Sequence, residues 1–130
     1  MPAPRGLVLY YCAGPQAETS RAKLVFIRFG LRIKVITPDL LSRAVGSFAG
    51  LDVPAPEEAG GGSIPDSIMV FAGLRGPVLD QVLSALLKAG VPRSVYKAVV
   101  TPGNAGWSFY QLYEELVRER RAVDSGDSAM

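Results

Sequence analysis

Three stretches of the 130-residue chain hold residues that could do chemistry. The first, KAVVTPGNAGWSFYQLYEEL from Lys97 to Leu116, sets an apolar run against a Thr-Pro-Gly-Asn turn, a lone tryptophan and a helix-like pattern. Thr101, Asn104 and the backbone amides that precede a helix could hold an anion or a carbonyl group. Asn in a glycine-rich turn can instead take a left-handed conformation or close an Asx turn. Trp107 would add a lid or stacking surface. Ser108 and Gln111, however, have capping-box spacing, and Trp107 and Leu112 have the spacing of a hydrophobic staple, which explains the tryptophan structurally. Lys97 falls in mid-strand, where an amine needs an edge or a partner. An edge strand is sufficient; an amine reaching toward a crevice is the alternative.

The second stretch ends at Cys12, after the apolar run GLVLYYC. Nucleophiles often sit at such strand ends. A phosphatase-type loop needs Cys, five residues, then Arg; here Arg21 is too far, and Glu18 between them would repel phosphate. A sugar-transport phosphocarrier pattern fits poorly after Ala13-Gly14. A phospho-accepting receiver fails as well, since this strand ends without acidic residues. Packing of a buried thiol explains Cys12 without chemistry. The third stretch, Gly73-Leu74-Arg75-Gly76-Pro77, is a glycine turn before a helix. It could accept an anion with help from Arg75, but it has the spacing of neither a nucleotide P-loop nor a dinucleotide fingerprint.

Composition narrows the chemistry. The chain has no histidine, which removes Ser-His-Asp and Cys-His nucleophile pairs and the commonest zinc ligand. No catalytic motif matches, so an enzyme using Cys12 or Lys97 ranks last. A net charge of +2 is too small to argue for nucleic acid or an anionic membrane. One cysteine excludes an internal disulfide and fits a cytoplasmic protein. No apolar run approaches the ~20 residues of a membrane helix. The start, MPAPRGLVLYYCAG, imitates a signal peptide, but Tyr10 and Tyr11 are too bulky for its cleavage site, so it reads as a first strand.

The elements that must position these residues follow from periodicity. Gly6–Cys12 and Ser67–Gly73 are apolar on both alternating faces, the pattern of central strands. Leu31–Ile36 places Arg32 and Lys34 on one face, and Val95–Val100 carries Lys97; both read as edge strands. A helical pattern from Gln16 to Phe29, with Leu24, Val25, Ile27 and Phe29 apolar, ends at Gly30. Another opens at Gly76-Pro77, carries Leu79, Val82, Leu83 and Leu86, and closes at Gly90. Thr37-Pro38-Asp39 predicts a short helix to about Val45. The last helix runs from Phe109 to about Arg120, with Glu114 and Arg118 paired one turn apart.

Gly46–Asp66, broken by Pro54, Pro56, Pro65 and the run Gly60-Gly61-Gly62, reads as a flexible connector inside one domain, residues 1–121. Residues 122–130 read as a disordered tail. Val35-Ile36-Thr37-Pro38 and Val99-Val100-Thr101-Pro102 occupy the same place in each half, about 64 residues apart, which suggests an internal repeat. The predicted fold is a single α/β domain with a four-stranded parallel sheet, order 2-1-3-4, and helices on both faces. A crevice is then expected at the carboxyl ends of strands 1 and 3, with Cys12 facing Gly73–Gly76.

The run from Ile68 to Glu119 resembles the bacterial family called domain of unknown function 3783. Gly73, Lys97, Ala98, Thr101, Asn104, Trp107 and Glu119 carry the likeness, over about Ser67–Glu119. The resemblance implies no activity, cofactor or partner. The leading expectation is a small cytoplasmic ligand-binding or regulatory module, with Gly73, Arg75, Gly76, Thr101, Asn104 and Trp107 as the site. The cofactor, if any, is unknown, and the partner is an unknown small molecule or protein. The alternative is a protein-interaction or dimerisation domain, such as a homodimer.

Overall fold

The computed structural model describes residues 6–14, 16–54, 56, 64–74, 76–92 and 94–126. Within it the chain forms two compact units: residues 1–37 with 65–100, and residues 38–64 with 101–130.

The first unit is a sheet with two helices. Its strands are β1 (Leu7–Tyr11), β2 (Arg32–Val35), β3 (Ile68–Ala72) and β4 (Tyr96–Val99), in the order β2-β1-β3-β4. The order is the expected one, but the sheet is mixed. β1 pairs parallel with β2, and β3 parallel with β4, while β1 and β3 run antiparallel. Apolarity on both faces signals a central strand but carries no direction, so strand character could not separate the two arrangements. All five residues of β1 are buried, whereas β2 is mostly exposed, as an edge should be.

Helices α1 (Gln16–Arg28) and α2 (Gly76–Lys88) make the two crossovers. In an all-parallel sheet of this order, right-handed crossovers place them on opposite faces. Here the second βαβ half is inverted relative to the first, so both helices come to one face. Val8, Tyr10, Met69 and Phe71 point to that side and form a core with Ala22, Val25 and Phe26 of α1 and Val82 and Leu86 of α2. The apolar set of α1 divides: Val25 is buried, but Leu24 and Ile27 are each 65% exposed.

The repeat suspected in the sequence is present in the backbone. Leu9 faces Val70 at the centre of the seam, with Leu7 opposite Ala72 and Tyr11 opposite Ile68, a two-fold register. Leu7 pairs with Arg32 as Ile68 pairs with Tyr96. The Ile36 N–H donates to the Tyr10 carbonyl, and the Val100 N–H donates to that of Phe71. Both helices end alike. Gly30 and Gly90 adopt φ of 73° and 91°, and the Leu31 and Val91 N–H groups reach back to Phe26 and Leu86. This is a Schellman closure, in which a left-handed residue lets orphan carbonyls be satisfied.

The second unit departs from expectation at its start. After Thr37 the chain makes two short 3-10 turns, Pro38–Leu40 and Val45–Ala49, in place of one helix to Val45. The head of the expected connector is therefore structured, and Gly46 and Ile64 are buried; residues 57–63 lie outside the described residues. Leu41–Gly46 lies along Ala105–Phe109. Val45 donates to the Trp107 carbonyl, Gly46 to that of Ala105, and Phe109 to that of Leu41. The rings of Phe48 and Phe109 meet at 5.9 Å. Helix α3 (Phe109–Gly126) continues past Arg120 into the stretch expected to be disordered; residues 127–130 lie outside the described residues. Arg118 pairs with Glu115 rather than Glu114.

Candidate functional site

The antiparallel seam removes the expected crevice. Cys12 follows the carboxyl end of β1, beside the start of β3, and the Ala13 N–H donates to Ser67 Oγ at 2.9 Å. Gly73 follows the other end of β3, beside Gly6. The six register steps between them correspond to about 20 Å at ~3.4 Å per residue. Cys12 and Gly73 therefore do not face each other. Gly73 has φ of 75°, so it shapes the turn before α2, and Gly76 is the first residue of that helix. Arg75 lies outside the described residues.

Thr101, Asn104 and Trp107 belong to the second unit, and the structure brings the first two together. Asn104 Oδ1 accepts from the Thr101 N–H at 2.9 Å, and Thr101 Oγ1 accepts from the Asn104 N–H at 3.2 Å. The Thr101 carbonyl also accepts from the N–H groups of Asn104 and Ala105. The two side chains thus close a turn on each other. Half-buried Trp107 donates from its N–H to the Asn104 carbonyl and accepts from Val45. Ser108 Oγ accepts from the Gln111 N–H at 3.2 Å, so Ser108 caps α3 as its spacing indicated. Replacing Asn104 by Ala should cost about 1 kcal/mol, the usual worth of such a turn bond. Urea unfolding would measure it; a change below about 0.3 kcal/mol would show that the turn does not depend on this side chain.

Lys97 lies on edge strand β4, half-buried, with Nζ donating to the Val95 carbonyl at 3.1 Å. The amine is thus turned along its own strand.

Cys12 is partly exposed and sits among hydroxyl groups. Thr19 Oγ1, in the first turns of α1, donates to its sulfur at 2.7 Å. Burial opposes ionisation of this thiol, but the Thr19 hydrogen bond, helped by the nearby polar groups of Tyr10, the Gly14 backbone and Ser67, outweighs it and draws the pKa below the ordinary thiol value. Tyr10 shifts upward, chiefly because it is buried and then because of Cys12. Sequence reading had singled out Cys12 but not these neighbours. Thr19 and Ser67 are remote from each other in the chain, and only the β1–β3 pairing brings Ser67 near.

A feature with no sequence signal lies between the helices. A groove of about 610 Å³ has Val25, Phe29, Ala85 and Ala89 in its lining, together with Arg28, Asp80, Gln81, Ser84 and Lys88. By the internal repeat, Arg28 of α1 and Lys88 of α2 are equivalent positions. No helix among the described residues is long and apolar enough to cross a membrane.

These features define an α/β protein whose sheet is an internally repeated βαβ pair, with an interhelical groove and a hydroxyl-lined cysteine. Residues 67–123 match the model of the family described as domain of unknown function (DUF3783). That span begins beside β3 and ends within α3, so the β1-α1-β2 half lies outside it. It contains Lys97, Ala98, Thr101, Asn104 and Trp107, the residues that carried the resemblance. No curated protein and no solved structure matches the chain.

Proposed function

We propose that the chain is a small ligand-binding module and that its site is the groove between α1 and α2. The observation that carries this reading is the groove itself. Its volume falls within the ~300–1,000 Å³ range of small-molecule sites, and it combines apolar surface with a few polar groups. Arg28 and Lys88 outnumber Asp80 among the charges there, which favours a small anion with an apolar body. This moves the expected ligand away from the Thr101–Trp107 turn, where Thr101 and Asn104 already bond each other.

Native mass spectrometry of the purified chain, followed by titration with a panel of aromatic carboxylates, tests the reading. A bound carboxylate should lose about tenfold in affinity when Lys88 becomes Glu, the factor that corresponds to ~1.4 kcal/mol. Binding that is indifferent to both Lys88→Glu and Arg28→Glu would overturn it.

A second reading, self-association, is favoured by exposed Leu24 and Ile27 on α1 and Leu87 on α2. Sedimentation separates the two. A concentration-dependent dimer abolished by Leu24→Glu supports association, and a strict monomer refutes it.

A further inference from the structure

The two-fold repeat supplies an internal control for the Cys12 neighbourhood. By the shared register, the counterparts of Tyr10, Cys12, Thr19 and Ser67 are Phe71, Gly73, Leu79 and Gly6. None of these counterparts has a polar side chain. A Cβ on Gly6 would collide with Leu74 at 2.5 Å, so an apolar side chain occupies the place that corresponds to Ser67. The fold thus builds the same corner twice, once apolar and once with three hydroxyls around a thiol. The polar version is not a requirement of the architecture.

The Tyr10 hydroxyl strengthens the point. Tyr10 is 1% exposed, and its oxygen has no hydrogen-bond partner among the described residues. An orphaned buried hydroxyl is destabilising, and Phe at this position would avoid that cost, as Phe71 does. Tyr10 and Cys12 are on the same face of β1, and the two groups perturb each other's ionisation. What the Tyr10 O–H lacks is an acceptor, and a negatively charged sulfur is one.

We propose that Cys12 is a reactive thiolate site, held by Thr19, Tyr10 and Ser67, which takes small peroxides as substrate. The sulfur lone pair attacks one peroxide oxygen and the O–O bond breaks. Cys12 is oxidised to a sulfenic acid, and hydrogen peroxide is reduced to hydroxide, which takes a proton from solvent. No second cysteine exists in the chain, so an external low-molecular-weight thiol would be needed to displace water from the sulfenic acid and form a mixed disulfide. Among the described residues, the titratable groups around this corner are Tyr10 on β1 and Glu18 in the first turn of α1, which acts on Tyr10 and whose carboxylate lies close to Gly14.

The test uses the full chain with iodoacetamide across pH, then hydrogen peroxide with dimedone trapping read by intact mass. Cys12 should alkylate below pH 7 about tenfold faster than free cysteine, whose thiolate forms near pH 8.5. Peroxide should add one oxygen that dimedone captures. Tyr10→Phe, which installs the counterpart residue, should shift the alkylation profile to higher pH. Thr19→Val should do the same, and Thr19→Ser should restore the original profile. A thiol that reacts no faster than free cysteine overturns the proposal, as does a profile unmoved by both Tyr10→Phe and Thr19→Val. A structural role alone would change stability without moving that profile.

Discussion

Replacing Phe26 by Ala should cost about 4 kcal/mol, a large part of the ~5–15 kcal/mol that holds a typical domain together. Phe26 is fully buried on α1. Its ring meets Tyr10 edge-on at 6.0 Å and Phe71 at 6.1 Å, so it touches a strand from each half of the repeat. Truncation removes the transfer energy of the ring, opens a cavity between helix and sheet, and ends two aromatic contacts worth about 0.5–1.5 kcal/mol each. Leu86 is its counterpart on α2 and is also fully buried. Its Ala variant should cost about 2–5 kcal/mol, nearer the low end because no ring contacts are lost. Denaturant titration measures both. A loss below about 1.5 kcal/mol for Phe26→Ala would mean that this core is not where the sheet and helices are joined.

Much of this core was legible in the chain. GLVLYYC and SIMVFAG gave two central strands, Arg32 with Lys34 and Lys97 marked the edges, and Gly30 and Gly90 marked the helix ends. These signals are local: alternation reports burial, and a left-handed turn needs glycine. The direction of β3 relative to β1 is not local. It depends on the chain from Pro38 to Ile64, whose described residues form two short 3-10 turns rather than the α-helix that usually carries a parallel crossover. Once that direction was misread, the crevice at Cys12 and Gly73 followed wrongly from it. Periodicity on α1 misled in a smaller way. Leu24 and Ile27 look like core residues, but Ala22, Val25 and Phe26 take the inner face.

The candidate sites show the same division. Ser108 as a cap could be read from spacing, because both partners lie within one turn. A turn-forming role for Asn104 was one of two readings of the Thr-Pro-Gly-Asn sequence, and the side chains of Thr101 and Asn104 do close that turn on each other. The groove between α1 and α2 left no trace in the sequence because it depends on both helices sharing a face. That follows from the antiparallel seam, and so does the approach of Ser67 to Ala13. Both features with functional promise are thus products of the one topological fact that periodicity does not encode.

Gly46→Ala is expected to be the most damaging single methyl group in the second unit. A Cβ at Gly46 would stand 2.7 Å from the Ala105 Cβ and 2.9 Å from the Ala105 carbonyl oxygen. The Gly46 N–H donates to that same oxygen at 2.8 Å, so the backbone cannot retreat without losing the bond. Overpacking of this kind costs about 1–3 kcal/mol, and the strained hydrogen bond adds to it. The contact is with backbone as well as side chain, so Ala105→Gly in the same chain should recover only part of the loss. A double-mutant cycle measures the coupling, which should be on the order of 1 kcal/mol. If Gly46→Ala is neutral, residues 41–46 are not held against 105–109. Thr101 and Asn104 would then be closing a turn that nothing else in the unit relies on. Full recovery in the double variant would place the conflict in the two methyl groups alone and leave the Gly46–Ala105 backbone bond with slack.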